Sequence, residues 1–123
     1  MTTPLSAFLD GPLRNEHIVA GPLVVYVRKA HHIINEKMVQ CLDVASIDVP
    51  ERHRGQGHFH RWLQKAEATA RAYGLVVRVE SILEPRLVPF LARRGYLRVP
   101  DTNPMQTDMY LPVQVEPPTA YIE

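Results

Sequence analysis

Polar and apolar residues alternate through the first half of the chain in short, β-branched runs. EHIVA, LVVYVRK and MVQCLDVASIDV read as three consecutive strands of a meander, separated by Gly21-Pro22 and by the connection HHIINEK. His31 and His32 are placed in that connection, most simply on the surface, although they could line an acceptor groove. Pro50 ends the third strand. After Gly57 the period changes. Phe59, Trp62, Leu63, Ala66, Ala70 and Tyr73 recur at helical spacing, with Gln64, Lys65, Glu67 and Arg71 between them, and Gly74 closes the helix. LVVRVES, residues 75 to 81, is apolar enough for a strand inside a sheet. EPRLVPFLARRGY predicts a shorter helix that starts near Pro85 and ends at Gly95, with Pro89 forcing a late start. YLRV and TDMYLPV predict two last strands joined by the turn-rich PDTNP.

These elements divide the chain into an N-terminal arm or short helical turn over 1–15, broken by Pro4, Gly11 and Pro12, a single domain over 16–115, and a loose tail over 116–123. A length of 123 residues at 46% hydrophobic composition suits one domain with its own core. Lys and Arg total 14 against 13 acids, a net charge of +1, so nothing draws the whole surface to nucleic acid or to an anionic membrane. The lone Cys41 lies in an apolar run and reads as a core thiol. With no signal-like start and no apolar run of about 18 residues, the expectation is a soluble, cytoplasmic protein.

The densest chemistry is RHRGQGHFH, Arg52 to His60, where a strand stops and the amphipathic helix begins. The first backbone N–H groups of a helix lack intrahelical partners and sit at the positive end of its dipole. Gly55 and Gly57 allow tight turns and close approach, and Arg52 and Arg54 add positive charge, so the turn reads as a cradle for a phosphate or pyrophosphate. Neither GxGxxG nor the P-loop fits: His60 stands where a third glycine would be, and no Gly-Lys is followed by Ser or Thr. His53, His58 and His60 do not make a metal site, because alternate helix positions face apart. Arg93-Arg94 sits at a helix C-terminus, where the dipole suffices to explain it.

What remains is RxxGxG between a strand and a helix, followed at a set distance by RRGY, and this resembles the GNAT family of N-acetyltransferases over roughly residues 40 to 100. The resemblance implies a mixed α/β (α+β) fold with a mostly antiparallel twisted sheet and a central strand, loop and helix that bind acetyl-CoA as cosubstrate. It implies that Arg52, His53, Arg54, Gly55, Gln56, Gly57 and His58 hold the pyrophosphate. It implies that Ile47, Asp48 and Val49 pair with the pantetheine arm, in a gap between this strand and the one over 75–81. The family's usual N-terminal helices have no counterpart in the sequence, so the chain resembles a minimal member, like small phage-encoded ones.

Two positions depart from the family pattern. Leu91 stands where a tyrosine often acts as general acid, and Glu84 where an asparagine often contacts the cofactor. Acetyl transfer needs a neutral amine, and a lysine with an ordinary pKa gives up about 4 to 5 kcal/mol at pH 7 to become one. A base must help. Asp43 and Glu80 are the candidates on neighbouring strands, with Tyr96, and also Tyr110, as candidate acids. The expected activity is acetyl transfer to an amine, a protein lysine or N-terminus before a small metabolite. The alternative is a protein that keeps this fold, with or without CoA, and works through an interface, as a phage inhibitor of a host process would. An exposed edge strand could pair two copies into a homodimer.

Overall fold

The computed structural model describes residues 2–80, 82, 85–100 and 107–112. The tail over 116–123, the PDTNP turn beyond Pro100, and Ser81 and Glu84 lie outside them. The sheet has six strands in the order β1-β2-β3-β4-β6-β5: β1 Asn15–Ala20, β2 Leu23–Ile34, β3 Lys37–Asp48, β4 Val76–Val79, β5 Leu97–Arg98 and β6 Met109–Tyr110. Every neighbouring pair is antiparallel except β3 with β4. That exception follows from the helix α2, His58–Ala72, which carries the chain back across the sheet between them. The fold is thus the mixed, mostly antiparallel sheet expected.

The hairpin of β2 and β3 is longer than the sequence pattern suggested. His31 and His32 lie within β2, paired opposite Gln40 and Val39, and the turn is confined to Asn35 and Glu36, both at positive φ. HHIINEK misleads because its turn residues come only at its end, while His-His-Ile-Ile is compatible with a strand that is polar on one side.

One face of the sheet carries the main core. Leu23, Val25, Leu42, Val44, Val77 and Val79 meet Trp62, Leu63, Ala66 and Ala70 of α2, which recur on one helical stripe. Helix α3, Leu87–Arg93, adds Leu91 to the same core. Pro89 falls in its first turn, where a missing N–H costs nothing, so the helix begins after Arg86.

The segment read as an arm also joins this core. Pro4–Asp10 forms a helix, α1, with Thr3 and Ser6 in a reciprocal capping box and Leu5 and Phe8 buried. Lys29 crosses the sheet face to donate to the Phe8 and Gly11 carbonyl oxygens at 3.0 and 2.8 Å, satisfying the helix's C-terminal end. Pro4 starts α1 rather than breaking it.

Candidate active site

Strands β3 and β4 run in register only from Cys41↔Val76 to Val44↔Val79, and the Glu80 N–H adds one last bond to the Val44 carbonyl at 3.0 Å. Beyond it they part. The chain after Glu80 turns away, and Ile82 bonds instead to the Thr107 carbonyl at 2.8 Å. Meanwhile β3 stays paired with β2 through Asp48, past a bulge at Ala45: Tyr26 faces Ser46 while Val27 faces Val44. The extra residue bends β3 where it loses β4. Ala45 to Asp48 therefore present a strand edge with no β4 partner.

This edge leads directly into the glycine turn. Pro50 opens a single 3-10 turn over Glu51–His53, and Gly55 and Gly57 both take left-handed backbone, φ 75° and 80°. No side chain caps α2, and its first intrahelical bond runs from Arg61 N–H to the Gly57 carbonyl at 3.0 Å. The N–H groups of His58, Phe59 and His60 are thus left open, and the first turn contains no acid to compete for them. A Cβ on Gly55 would meet nothing within 4 Å, so the backbone there faces open space.

The turn's own side chains brace it. Arg54 Nε donates to the Val49 carbonyl at 2.9 Å, and Gln56 donates to the Arg52 carbonyl at 3.2 Å. His58 links Gln56 Oε1, 3.2 Å from its Nε2, to Arg61 Nη2, 3.3 Å from its Nδ1. His60 packs its ring against Phe90 of α3, centroids 5.5 Å apart. Two of the histidines thus shape the turn and its wall, and among the described residues no set of three or more metal-ligating side chains converges. Beside the turn lies an open pocket of about 340 Å³, floored by Val49, Phe59, Leu87 and Phe90. Strand edge, open N–H groups and apolar pocket follow one another along the chain from Ala45 to His60.

The opposite face of the sheet carries charge. Asp43, 1% exposed, lies one residue before the end of the β3–β4 pairing. His32 Nε2 is 2.7 Å from its Oδ2, and Arg28 Nε is 4.0 Å from the same oxygen. Arg28 also pairs with Glu80 Oε1. Arg78 reaches Glu80 Oε2 at 3.0 Å and Asp108 Oδ2 at 2.8 Å. Asp43 and Glu80 are therefore brought into one network. Burial raises the Asp43 carboxyl above the ordinary range, against the opposing pull of His32. Cys41, on the same face, has its thiol pushed up to about 12 by burial, so it packs and does not react.

Tyr96 stands apart from both carboxylates. It is buried on the α2 side of the sheet, where its hydroxyl donates to Glu67 Oε2 at 2.8 Å and Glu67 also pairs with Arg94. Burial and that hydrogen bond raise its pKa far above the ordinary phenol value. It is a packing residue in this position. Tyr110 lies on the charged face but near the hairpin tip, accepting from Asn35 at 3.0 Å.

The sequence reading missed Arg28, His32, Arg78 and Asp108. Arg78 carried a usable signal, since a charge inside the apolar run LVVRVES must find a buried partner. His32 and Arg28 carried none, because only the hairpin register brings them to Asp43.

Among solved structures, this fold matches the toxin AtaT, studied as a mutant bound to acetyl-CoA and to the C-terminus of the antitoxin AtaR, with a TM-score of 0.52 at 13% identity. The fold is GNAT-like. The match covers 73% of this chain and 57% of AtaT, so the chain spans little more than half the length of that neighbour. No family model matches the sequence, and no curated protein matches it either. No helix among the described residues is long and apolar enough to cross a membrane.

Proposed function

We propose that the protein transfers an acetyl group from acetyl-CoA to an amine. The observation that carries this reading is the parting of β3 from β4 directly before a glycine turn whose helix N-terminus is uncapped. The Arg54 N–H is taken by the Glu51 carbonyl at 3.2 Å, so the backbone N–H groups of Gly55 to His58 bind the pyrophosphate, and Ile47, Asp48 and Val49 pair with the pantetheine arm. Arg52 and His53 flank the cradle, and Arg54 and Gln56 hold its shape. AtaT, similar in fold, binds acetyl-CoA, which supports the same use here.

Of the two candidate carboxylates, Asp43 is the base. Both oxygens of Glu80 are already engaged by Arg28 and Arg78, whereas Oδ1 of Asp43 has no hydrogen-bond partner among the described residues. The raised pKa of Asp43 makes it a stronger base than an ordinary carboxylate. An ammonium gives one proton to Asp43, the neutral amine adds to the thioester carbonyl, and a C–N bond forms as the C–S bond breaks. The departing thiolate takes the second proton from nitrogen, and Asp43 returns its own to water. No side-chain acid is required, because a thiolate is a tolerable leaving group. The acceptor is an amine on a protein, a lysine or an N-terminus, before a small metabolite.

Leu91, fully buried at the position of the family's tyrosine, favours a second reading in which the fold binds CoA and acts through an interface without turnover. Calorimetric titration with acetyl-CoA and with desulfo-CoA, followed by thiol release with an amine panel, separates the two. Micromolar binding of both ligands with thiol release supports transfer. Binding without release supports the interface reading, and no binding sinks the cradle.

A further inference from the structure

The hydrogen bond between His32 and Asp43 spans an unusual distance in register. His32 pairs across the hairpin with Val39, and Asp43 pairs with Arg28, so the two are offset by four positions along the strands. Between them on the same face lie Ala30 and Cys41, which oppose each other. Their small side chains leave room for the imidazole to lie along the sheet and reach Oδ2 at 2.7 Å. Arg28 Nε, 4.0 Å from the same oxygen, adds charge without a hydrogen bond. His32 is thus the hydrogen-bonding partner that the structure gives Oδ2. The second oxygen, Oδ1, is buried and accepts nothing from the described residues. A buried carboxylate oxygen without a partner costs free energy unless a ligand uses it.

Resting on the acetyl-transfer reading, we infer that His32 is a positioning residue: it fixes Asp43 through Oδ2 and so leaves Oδ1 to take the proton of the acceptor amine. The order along β3 suits this. His32 lies on the side of Asp43 away from the parting of the strands, and Oδ1 is the acceptor left for an amine arriving there. Glu80, bound to both Arg28 and Arg78, holds Arg28 in place.

The inference has a pH signature. The groups facing Asp43 are Arg28 and His32 on β2, Cys41 on β3, and Arg78 and Glu80 on and after β4. Burial raises the Asp43 carboxyl most, His32 lowers it through the hydrogen bond and its charge, Glu80 raises it and Arg78 lowers it. Removing His32 therefore raises Asp43 further. Because transfer needs the ionised carboxylate, the acid limb of the rate profile then moves to higher pH.

The experiment compares the intact protein with His32→Ala, His32→Gln and Asp43→Asn. Each is first tested for folding by circular dichroism and for acetyl-CoA binding by calorimetry. Thiol release from acetyl-CoA is then followed from pH 5 to 9 with spermidine, lysine ethyl ester and a lysine-rich peptide as acceptors, and with water alone. In parallel, the Asp43 carboxyl is titrated by carbon-13 NMR without acetyl-CoA. In His32→Ala the acid limb and the carboxyl resonance should both move up by about 1 pH unit, with a roughly tenfold loss of kcat/KM at pH values below the limb. His32→Gln keeps a donor and should recover most of the loss, while Asp43→Asn should lose the rate at every pH. An unmoved limb and resonance in a folded, cofactor-binding His32→Ala would overturn the inference, as would binding of acetyl-CoA with no thiol release to any acceptor. Failure of the intact protein to bind acetyl-CoA would overturn the underlying reading of the site instead.

Discussion

Tyr96 shows how a residue chosen for its chemistry is reassigned by its neighbours. From sequence it was the nearest phenol to the second glycine, and its proton made it a candidate acid. In the fold its hydroxyl is committed to Glu67, and that carboxylate is held in turn by Arg94. The three tie the end of α3 to the middle of α2 on the face away from Asp43. Tyr96→Phe should therefore lower stability by about 1.5 kcal/mol, the worth of a buried hydrogen bond to a charged group, measured by urea unfolding. The rate of thiol release should stay within about twofold, because no reacting atom is touched. A loss of a hundredfold at unchanged stability would make Tyr96 the acid after all. The glycine turn was legible from spacing alone because glycines at positive φ and an uncapped helix start are local properties. The Asp43 network was not, because it depends on a hairpin register, and a one-residue slip would turn every member to the other face.

At the scale of elements, α2 carries two duties that pull in opposite directions. Its stripe of Trp62, Leu63, Ala66 and Ala70 fixes it to the sheet, yet its first turn forgoes the capping and the acidic residues that would stabilise it. A helix that leaves its N–H groups open keeps them for an anion. His60 occupies the third position of that turn, lines the pocket, and packs on Phe90. His60→Glu should favour the helix by about 0.5 kcal/mol through the dipole and a capping interaction, and should weaken acetyl-CoA binding at least tenfold by placing a carboxylate beside the pyrophosphate. Thermal unfolding and calorimetry on the same sample read the two effects. Opposite signs for stability and binding are the expected outcome, and equal or improved binding would move the anion elsewhere. Substitution of Gly57 is a poorer test. A Cβ there would stand 2.9 Å from Arg61 Nη1 in left-handed backbone, so strain would obscure any loss of binding.

Across the whole molecule, sequence periodicity located every strand and both of the later helices among the described residues, because strand and helix periods differ and glycine or proline marks most boundaries. At the N-terminus it left an arm or a short helical turn, for a physical reason. Pro4 and Gly11 look like breaks when seven residues separate them, but they are also the start and stop signals of a short helix, and only tertiary packing decides between these. Such a helix cannot stand alone. It is held by Leu5 and Phe8 in the core, by Lys29 on its last carbonyls, and by a hydrogen bond of 2.9 Å from Tyr73 to Asp10 that ties it to the far end of α2. Deleting residues 1–11 would return the surfaces covered by these two side chains to water. Burying a leucine and a phenylalanine stabilises by about 3 to 6 kcal/mol together. For a domain of this size that is a fall in melting temperature of about 10 to 30 °C, read by scanning calorimetry. A truncated protein that melts with the full chain would make the helix a dispensable arm. A large fall would make α1 part of the domain and set its boundary at the capping box of Thr3 rather than at residue 16.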